Sequence, residues 1–294
     1  MKQRNPPPLL TIASLILITA VYILNNQQQP PPNPPPESPP NPPVTGNTTI
    51  KIAAFNIQIF GKTKRAKQDL MNVLTQIARQ FDITRARVDL INQQQGPPYA
   101  YIRSPRVGRT SSKEAYAYFY NTETIQYING TDHIYNDTYD VFEREPYIAT
   151  FTSGTFDFTL VGIHTKPDDA ENEIGNLTVV VSSILQLNPN ETDIIVMRDF
   201  NADGSYYDEE ACTPFRDGET WIITNDMDTM TKTDWTYDRI VHTNQTSTHE
   251  YKNNTAAVYY FDQEYNIADT TLITAVSDHY PMYAEYYNDL PDDD

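Results

Sequence analysis

Two carboxylates, two amides and two imidazoles recur in short polar motifs set in order along the chain. The motifs are Ala54-Phe55-Asn56-Ile57-Gln58, Gly162-Ile163-His164-Thr165, Asp199-Phe200-Asn201-Ala202 and Ser277-Asp278-His279-Tyr280-Pro281. Each sits at the end of an apolar run that reads as a buried element. Strand ends are where a rigid sheet presents side chains to a cleft. Such a set suits a hard divalent cation, which takes oxygen ligands, together with a phosphate ester.

Alternation along a strand places Asp199 and Asn201 on one side, with Phe200 facing the core. A lone Asp-Phe-Asn is more often a polar turn; it gains weight from the other three motifs. Asp278 could hold a metal or orient an imidazole, and His279 could act as a general base. His164 closes the run Phe156–Ile163. A single histidine is usually structural, but two beside these motifs favour function.

The elements that must position these groups follow from periodicity. Ile50–Phe60, Tyr116–Tyr120, Tyr147–Phe151, Phe156–Ile163, Ile194–Met197, Tyr237–Val241 and Pro281–Tyr287 read as strands. Lys64–Gln80 reads as an amphipathic helix with Leu70, Val73, Leu74 and Ile77 on one face, and Ile174–Leu187 as a second helix. Strands mixed with helices predict an α+β fold, an α/β sandwich of packed sheets flanked by helices.

The chain has 294 residues and a net charge of -18, which argues against holding nucleic acid by bulk electrostatics but not against brief contact through a metal site. Residues 1–8 are a short basic N-terminus. Residues 9–24 (LLTIASLILITAVYIL) are uncharged and follow Lys2 and Arg4, so they read as a signal peptide or a signal anchor. Either places the remainder outside the cytoplasm, secreted or membrane-anchored with a luminal or extracellular domain. Sequons at Asn47, Asn129, Asn136, Asn176, Asn190, Asn244 and Asn253 agree with export. Residues 25–47 form a Pro-rich linker; its stretch 30–43 is an extended spacer of about 43 Å. The folded domain spans 48–288, and 289–294 is an acidic tail. Cys212 is the only cysteine, so no intrachain disulfide forms.

Taken together, Lys51-Ile-Ala-Ala-Phe-Asn-Ile-Gln58, Arg109-Thr-Ser-Ser-Lys-Glu114, Phe142-Glu-Arg-Glu-Pro146, His164, Asp199-Phe-Asn-Ala202, Tyr237-Asp-Arg-Ile240 and Ser277-Asp-His-Tyr-Pro281 resemble the deoxyribonuclease I family of the endonuclease/exonuclease/phosphatase superfamily. The resemblance runs from about Lys51 to about Tyr286. It implies two packed mixed sheets between helices, four layers in all, and a divalent-metal-dependent endonuclease that cuts DNA to 5′-phosphate and 3′-hydroxyl products. It implies Mg²⁺, with Ca²⁺ structural or synergistic. Asn56, Asp199, Asn201 and Asp278 become metal and phosphate ligands. His279 becomes the base for the attacking water, oriented by Asp238; His164 assists the leaving oxygen, held by Glu114. Arg144, Arg109 and Asn201 become substrate-binding. The basic stretch Arg103, Arg106, Arg109 and Lys113 reads equally as a phosphate contact or a solvated loop.

The chain departs from the family after Phe81-Asp82-Ile83, where the family continues through a strand to a Glu metal ligand. Here Thr84-Arg-Ala-Arg-Val-Asp-Leu-Ile-Asn92 resembles the following helix, and neither Asp82 nor Asp89 replaces the Glu. The expected cost is unpaired backbone and a hole in the sheet. Three readings stand: a segment absent from the gene model, a non-catalytic surface or secreted binding protein, and altered metal use; the intact remainder favours the first. Arg198 replaces a family Gly and could strain the metal loop. Ser205 replaces a family Cys, so that disulfide is gone. A phosphomonoesterase or phosphodiesterase of the same superfamily is the other rival.

Overall fold

The structure, a computed structural model, describes residues 48–58, 61–84, 96–210, 214–292 and 294. Cys212, Asp89 and the apolar segment 9–24 lie outside the described residues. Among the described residues no helix is long and apolar enough to cross a membrane.

β1 (Thr49–Ala54) shows how the pattern writes the architecture. Ile50, Ile52 and Ala54 face a core between two sheets, whereas Ala53 and Phe55 face helices on the outside. This period of two is what a strand buried on both faces requires, and a slip of one residue would exchange the two faces. α1 (Gln68–Ala78) covers that outer face with Leu70, Leu74 and Ile77, spaced one and two turns apart.

The chain then enters β2 (Ile83–Thr84), β3 (Tyr99–Arg103) and β4 (Ala117–Asn121). Next come β5 (Gln126–Tyr127), β6 (His133–Ile134), β7 (Tyr147–Ser153) and β8 (Phe156–Gly162). α2 (Ala170–Leu187) crosses over to β9 (Ile194–Asp199), which runs parallel to β8. β10 (Thr220–Trp221), β11 (Asp238–His242), β12 (Ala257–Val258), α3 (Thr270–Val276) and β13 (Met282–Tyr287) complete the fold.

The first sheet has the order β12-β13-β1-β2-β4-β3 and the second β10-β11-β9-β8-β7-β5, with β6 also on β7. Each mixes parallel and antiparallel pairs. Ile52, Tyr118, Phe151, Phe158, Ile195 and Tyr286 fill the space between them. α2 packs Ile174, Leu177, Val180 and Ile184 on the outer face of the second sheet against Val161 and Val196. The result is the expected α+β sandwich of four layers.

Two expectations are corrected in detail, and a third, the defect after Ile83, is met in part. The first strand ends at Ala54 rather than Phe60, so that Phe55, Asn56 and Ile57 leave the ladder. The first helix is two pieces, because Lys67 is extended between a short turn at Lys62–Arg65 and α1. Among the described residues the sheet stays joined after Asp82, though only narrowly. Ile83 pairs with Ile52 on one side and Tyr120 on the other, and Thr84 pairs with Phe119. β2 is only these two residues, however. Past Thr84 the ends of β1 and β4 enclose a cavity of about 30 Å³ bordered by Ala54, Phe55, Ala117 and Arg198. The Thr84 hydroxyl is buried there without a partner.

The residues read as an acidic tail pack back on the domain: Thr48 N donates to Asp289 Oδ2 at 3.0 Å and Thr192 Oγ1 to Asp294 Oδ2 at 2.7 Å.

Candidate active site

β8, β9 and β11 deliver their polar residues to one edge of the second sheet, because Gly162 pairs with Met197 and Asp199 pairs with Asp238. The ends are then locked: Thr165 N donates to Asp199 O at 3.1 Å and Thr165 Oγ1 to Phe200 O at 2.6 Å. The first sheet supplies Asn56 just past β1 and Asp278-His279 just before β13, strands that pair with each other. Ser277 stitches these two segments by donating to Asn56 O at 2.6 Å.

Asp199 is the hub. Its Oδ2 accepts from Asn56 Nδ2 at 2.8 Å and lies 3.2 Å from His164 Nε2 and 3.6 Å from His279 Nε2. Its Oδ1 accepts from Asn201 N at 3.0 Å, which the positive φ of 48° at Asn201 permits. Burial alone would raise the Asp199 carboxyl, but the two imidazoles, Asn201 and Arg198 outweigh it and hold it below its usual range.

Each histidine carries its own carboxylate. His164 Nδ1 is 3.0 Å from Glu114 Oε2 and His279 Nδ1 is 2.6 Å from Asp238 Oδ2. In both, Nε2 is thereby turned toward Asp199. Glu114 is held well below the usual carboxylate range: burial opposes this, but His164, Arg198 and Arg144 dominate. For His279, burial lowers the pKa, yet Asp238, Asp199 and Asp278 together raise it to about 10. Burial pushes Asp238 up as well, so the pair shares a proton. It resides on His279, because two further carboxylates face the imidazole.

A consequence follows for stability. A group whose folded pKa is raised stabilises fully below its ordinary value of 6.5 and loses that contribution as pH rises toward about 10. In chelator, the urea midpoint of the wild type is expected to fall more between about pH 7 and pH 10 than that of His279→Gln. Parallel slopes would show that this proton does not stabilise the fold.

The remaining predicted residues are placed as follows. Asp278 accepts from Gln58 Nε2 at 2.6 Å, and its Oδ1 lies 3.8 Å from His279 Nε2. Asn201 Nδ2 donates to Thr165 O at 3.1 Å. Arg144 stands beside the cluster, but its fork is committed: Nε donates to His164 O at 2.9 Å, Nη2 to Thr165 O at 2.7 Å, and Nη1 lies 3.9 Å from Glu114. It braces the end of β8. Arg109 is not drawn into the cluster; its guanidinium engages Asp140 and Glu143.

Sequence reasoning missed what Arg198 does. All six residues of β9 are buried, Arg198 included. Its guanidinium turns into the site, with Nη2 at 3.3 Å from Glu114 Oε2 and 3.5 Å from Asn56 Oδ1, above the Tyr116 ring at 5.0 Å. Nε and Nη1 are buried without hydrogen-bond partners. A charge in the middle of a buried run must find an opposite charge, and that signal was legible. The expected strain is present: φ at Arg198 is 117°, a left-handed value costly for any side chain.

Oxygen donors dominate the site. The Asp199, Asp238 and His279 ligand atoms lie within 4.8 Å of one another. Asp278, beside His279, and Asn201, beside Asp199, add further oxygens. The donor set fits a hard divalent cation there, while Asn56 Oδ1 faces the guanidinium.

No family model matches the chain. Among curated proteins it is 32% identical to deoxyribonuclease-1 of Gallus gallus, over 80% of this chain and 91% of that protein. It is 32% identical to deoxyribonuclease-1 of Homo sapiens, over 81% and 92%. Deoxyribonuclease-1-like 1 of Rattus norvegicus matches at 32%, over 82% of each. Among solved structures, an endonuclease/exonuclease/phosphatase family protein of Bacteroides thetaiotaomicron superposes with a TM-score of 0.59 at 16% identity, covering 83% of this chain and 100% of that one. D. rerio TDP2 complexed with single strand DNA product superposes at 0.57 and 14% identity, covering 82% and 99%. These last two likenesses concern the fold.

Proposed function

Since the chain belongs to the deoxyribonuclease I family, whose Gallus gallus and Homo sapiens deoxyribonuclease-1 it matches over more than nine-tenths of their length, we propose that it hydrolyses phosphodiester bonds in DNA, leaving a 5′-phosphate and a 3′-hydroxyl. The observation that carries this reading is the pair of imidazoles, each held by its own carboxylate and both aimed at Asp199.

When bound, a divalent cation, Mg²⁺ with Ca²⁺ alongside, would be held by Asp199, Asp278 and Asn201 with Asn56 at its edge, offsetting their negative charge and stabilising the phosphoryl oxygens. His279, fixed by Asp238, would accept a proton from the water that attacks phosphorus in line once a cation at Asp199 and Asp278 offsets the negative charge that otherwise keeps the imidazole protonated. The bond from phosphorus to O3′ breaks, and His164, fixed by Glu114, delivers a proton to that oxygen. Arg144 keeps His164 in place through the carbonyl it grips. Arg198 presents a permanent positive charge on the Asn56 side. The donors are preset by hydrogen bonds within a rigid sheet edge, which favours the transition state without reorganisation.

We keep localisation in this proposal as well: secretion or membrane anchoring through residues 9–24, supported by exposed sequons at Asn129, Asn136, Asn190, Asn244 and Asn253.

A second reading is a catalytically silent binding scaffold. The observation favouring it is the Arg198 guanidinium against Asn56 Oδ1, beside a β2 of only two residues. Plasmid nicking separates the two. Nicking by the purified protein in Mg²⁺ plus Ca²⁺, lost in EDTA, is the expected result. Folded protein that leaves supercoiled plasmid intact under all conditions supports the scaffold, and full activity in EDTA removes the cation.

A further inference from the structure

The strands that carry the active site at one end carry a second acidic cluster at the other. Glu191 and Asp193 lie just before β9, Asp157 lies at the start of β8, and Asp294 folds back over them. The span of a six-residue strand, about 20 Å, separates this cluster from Asp199.

Glu191 and Asp193 are 2% and 1% exposed. Glu191 Oε1 accepts from Asp193 N at 2.9 Å, but its Oε2 is buried without a hydrogen-bond partner, and so is Asp193 Oδ1. One oxygen from each of Glu191, Asp193 and Asp294 lies within 4.8 Å of the others, and Asp157, Asp292 and Asp294 form an overlapping set. Thr192 fixes Asp294 through its backbone N–H and its hydroxyl. Among the described residues no Lys or Arg pairs with any of these carboxylates. Buried carboxylates facing each other with orphaned oxygens are costly unless a cation or protons join them. Burial and the neighbouring acids push Glu191 up to about 8 and Asp193 up to about 9.

The geometry points to a calcium site formed by Glu191, Asp193 and Asp294, with Asp157 and Asp292 completing it, that clamps residues 289–294 to the base of the second sheet. All its donors are oxygens, which suits a hard cation. Glu191 and Asp193 are buried, Asp157 is half-buried and Asp292 and Asp294 are exposed, so water can complete the irregular, higher coordination that Ca²⁺ accepts and Mg²⁺ does not. The site is distinct from the catalytic edge and does not depend on the assigned activity.

Thermal unfolding of the full chain tests it, with CaCl₂ added to protein stripped by EDTA. Saturating Ca²⁺ is expected to raise Tm by about 5 °C in the wild type and in the double variant Asp199→Asn with Asp278→Asn. Asp193→Asn should unfold no lower than the wild type in EDTA, since a repulsion is removed, and should show no response to Ca²⁺. Asp294→Asn, at an exposed position, should lose at least half of the response. A wild type indifferent to Ca²⁺ overturns the site. So does a response that disappears in the active-site double variant, or one that survives intact in both Asp193→Asn and Asp294→Asn.

Discussion

Exchanging His279 for alanine lowers the rate of plasmid nicking about a thousandfold, with the protein still folded: this is the expected result if the imidazole takes the proton from water. The size follows from what positioned acid–base groups contribute, about a hundred to ten thousandfold. His279 is buried among Asp238, Asp199 and Asn56, so its removal leaves a small cavity and an uncompensated Asp238. His279→Gln keeps the volume and a hydrogen bond to Asp238 but cannot exchange a proton at neutral pH. Both variants should lose activity together, and circular dichroism should show both folded. Nicking that survives undiminished in the glutamine variant would remove the assigned site.

The cluster around Asp199 was legible because its members close strands whose apolar runs are long. Phe156–Ile163 and Ile194–Met197 read as strands from their apolar runs alone; that they lie side by side, and that Asp199 stands against Asp238, comes from the register. Where the chain leaves a ladder was harder to read. Ile57 is apolar and continues the pattern of β1, yet hydrogen bonding to β13 begins opposite Ala54 at Met282, and the chain turns away beyond it. That turn is what swings Asn56 onto Asp199.

Side-chain commitments were harder still. Nothing in the local pattern around Arg144 says that its fork grips the His164 and Thr165 carbonyls, since those partners arrive from a strand about twenty residues away. A resemblance predicts which residue stands where; it does not predict how many of its donors are already spent. The shortened β2 keeps part of the expected defect, a small cavity with the orphaned Thr84 hydroxyl beside it. Two residues join β1 to β4, with Ile83 wholly buried in the layer between the sheets.

Arg198→Gly is expected to raise affinity for divalent cations at least tenfold while leaving stability within about 1 kcal/mol of the wild type. The stability terms oppose each other. Glycine relieves a backbone held at φ 117°, a strain of about 1–3 kcal/mol. It also removes two buried N–H groups that have no acceptor. Against this stand the ion pair to Glu114 and the contact with Tyr116, both partly buried and together of similar size. The electrostatic effect on the site has no such offset. The guanidinium lies 3.5 Å from Asn56 Oδ1 and 3.3 Å from Glu114 Oε2. At an effective dielectric of 20 a unit charge several ångströms away is worth on the order of 1–4 kcal/mol, and about 1.4 kcal/mol is a factor of ten in affinity. Titration calorimetry with Mn²⁺ reads the affinity directly, and the Mg²⁺ concentration for half-maximal nicking should fall in step. Arg198→Gly also frees an amide oxygen and a carboxylate oxygen, so the wild type's Asn56 side would change from a place held by a fixed cation to one open to a second metal. Unchanged or weaker Mn²⁺ binding in the glycine variant would show that Arg198 does not compete with the metal. Its charge would then belong to the support of Glu114 and His164 rather than to the site's charge balance.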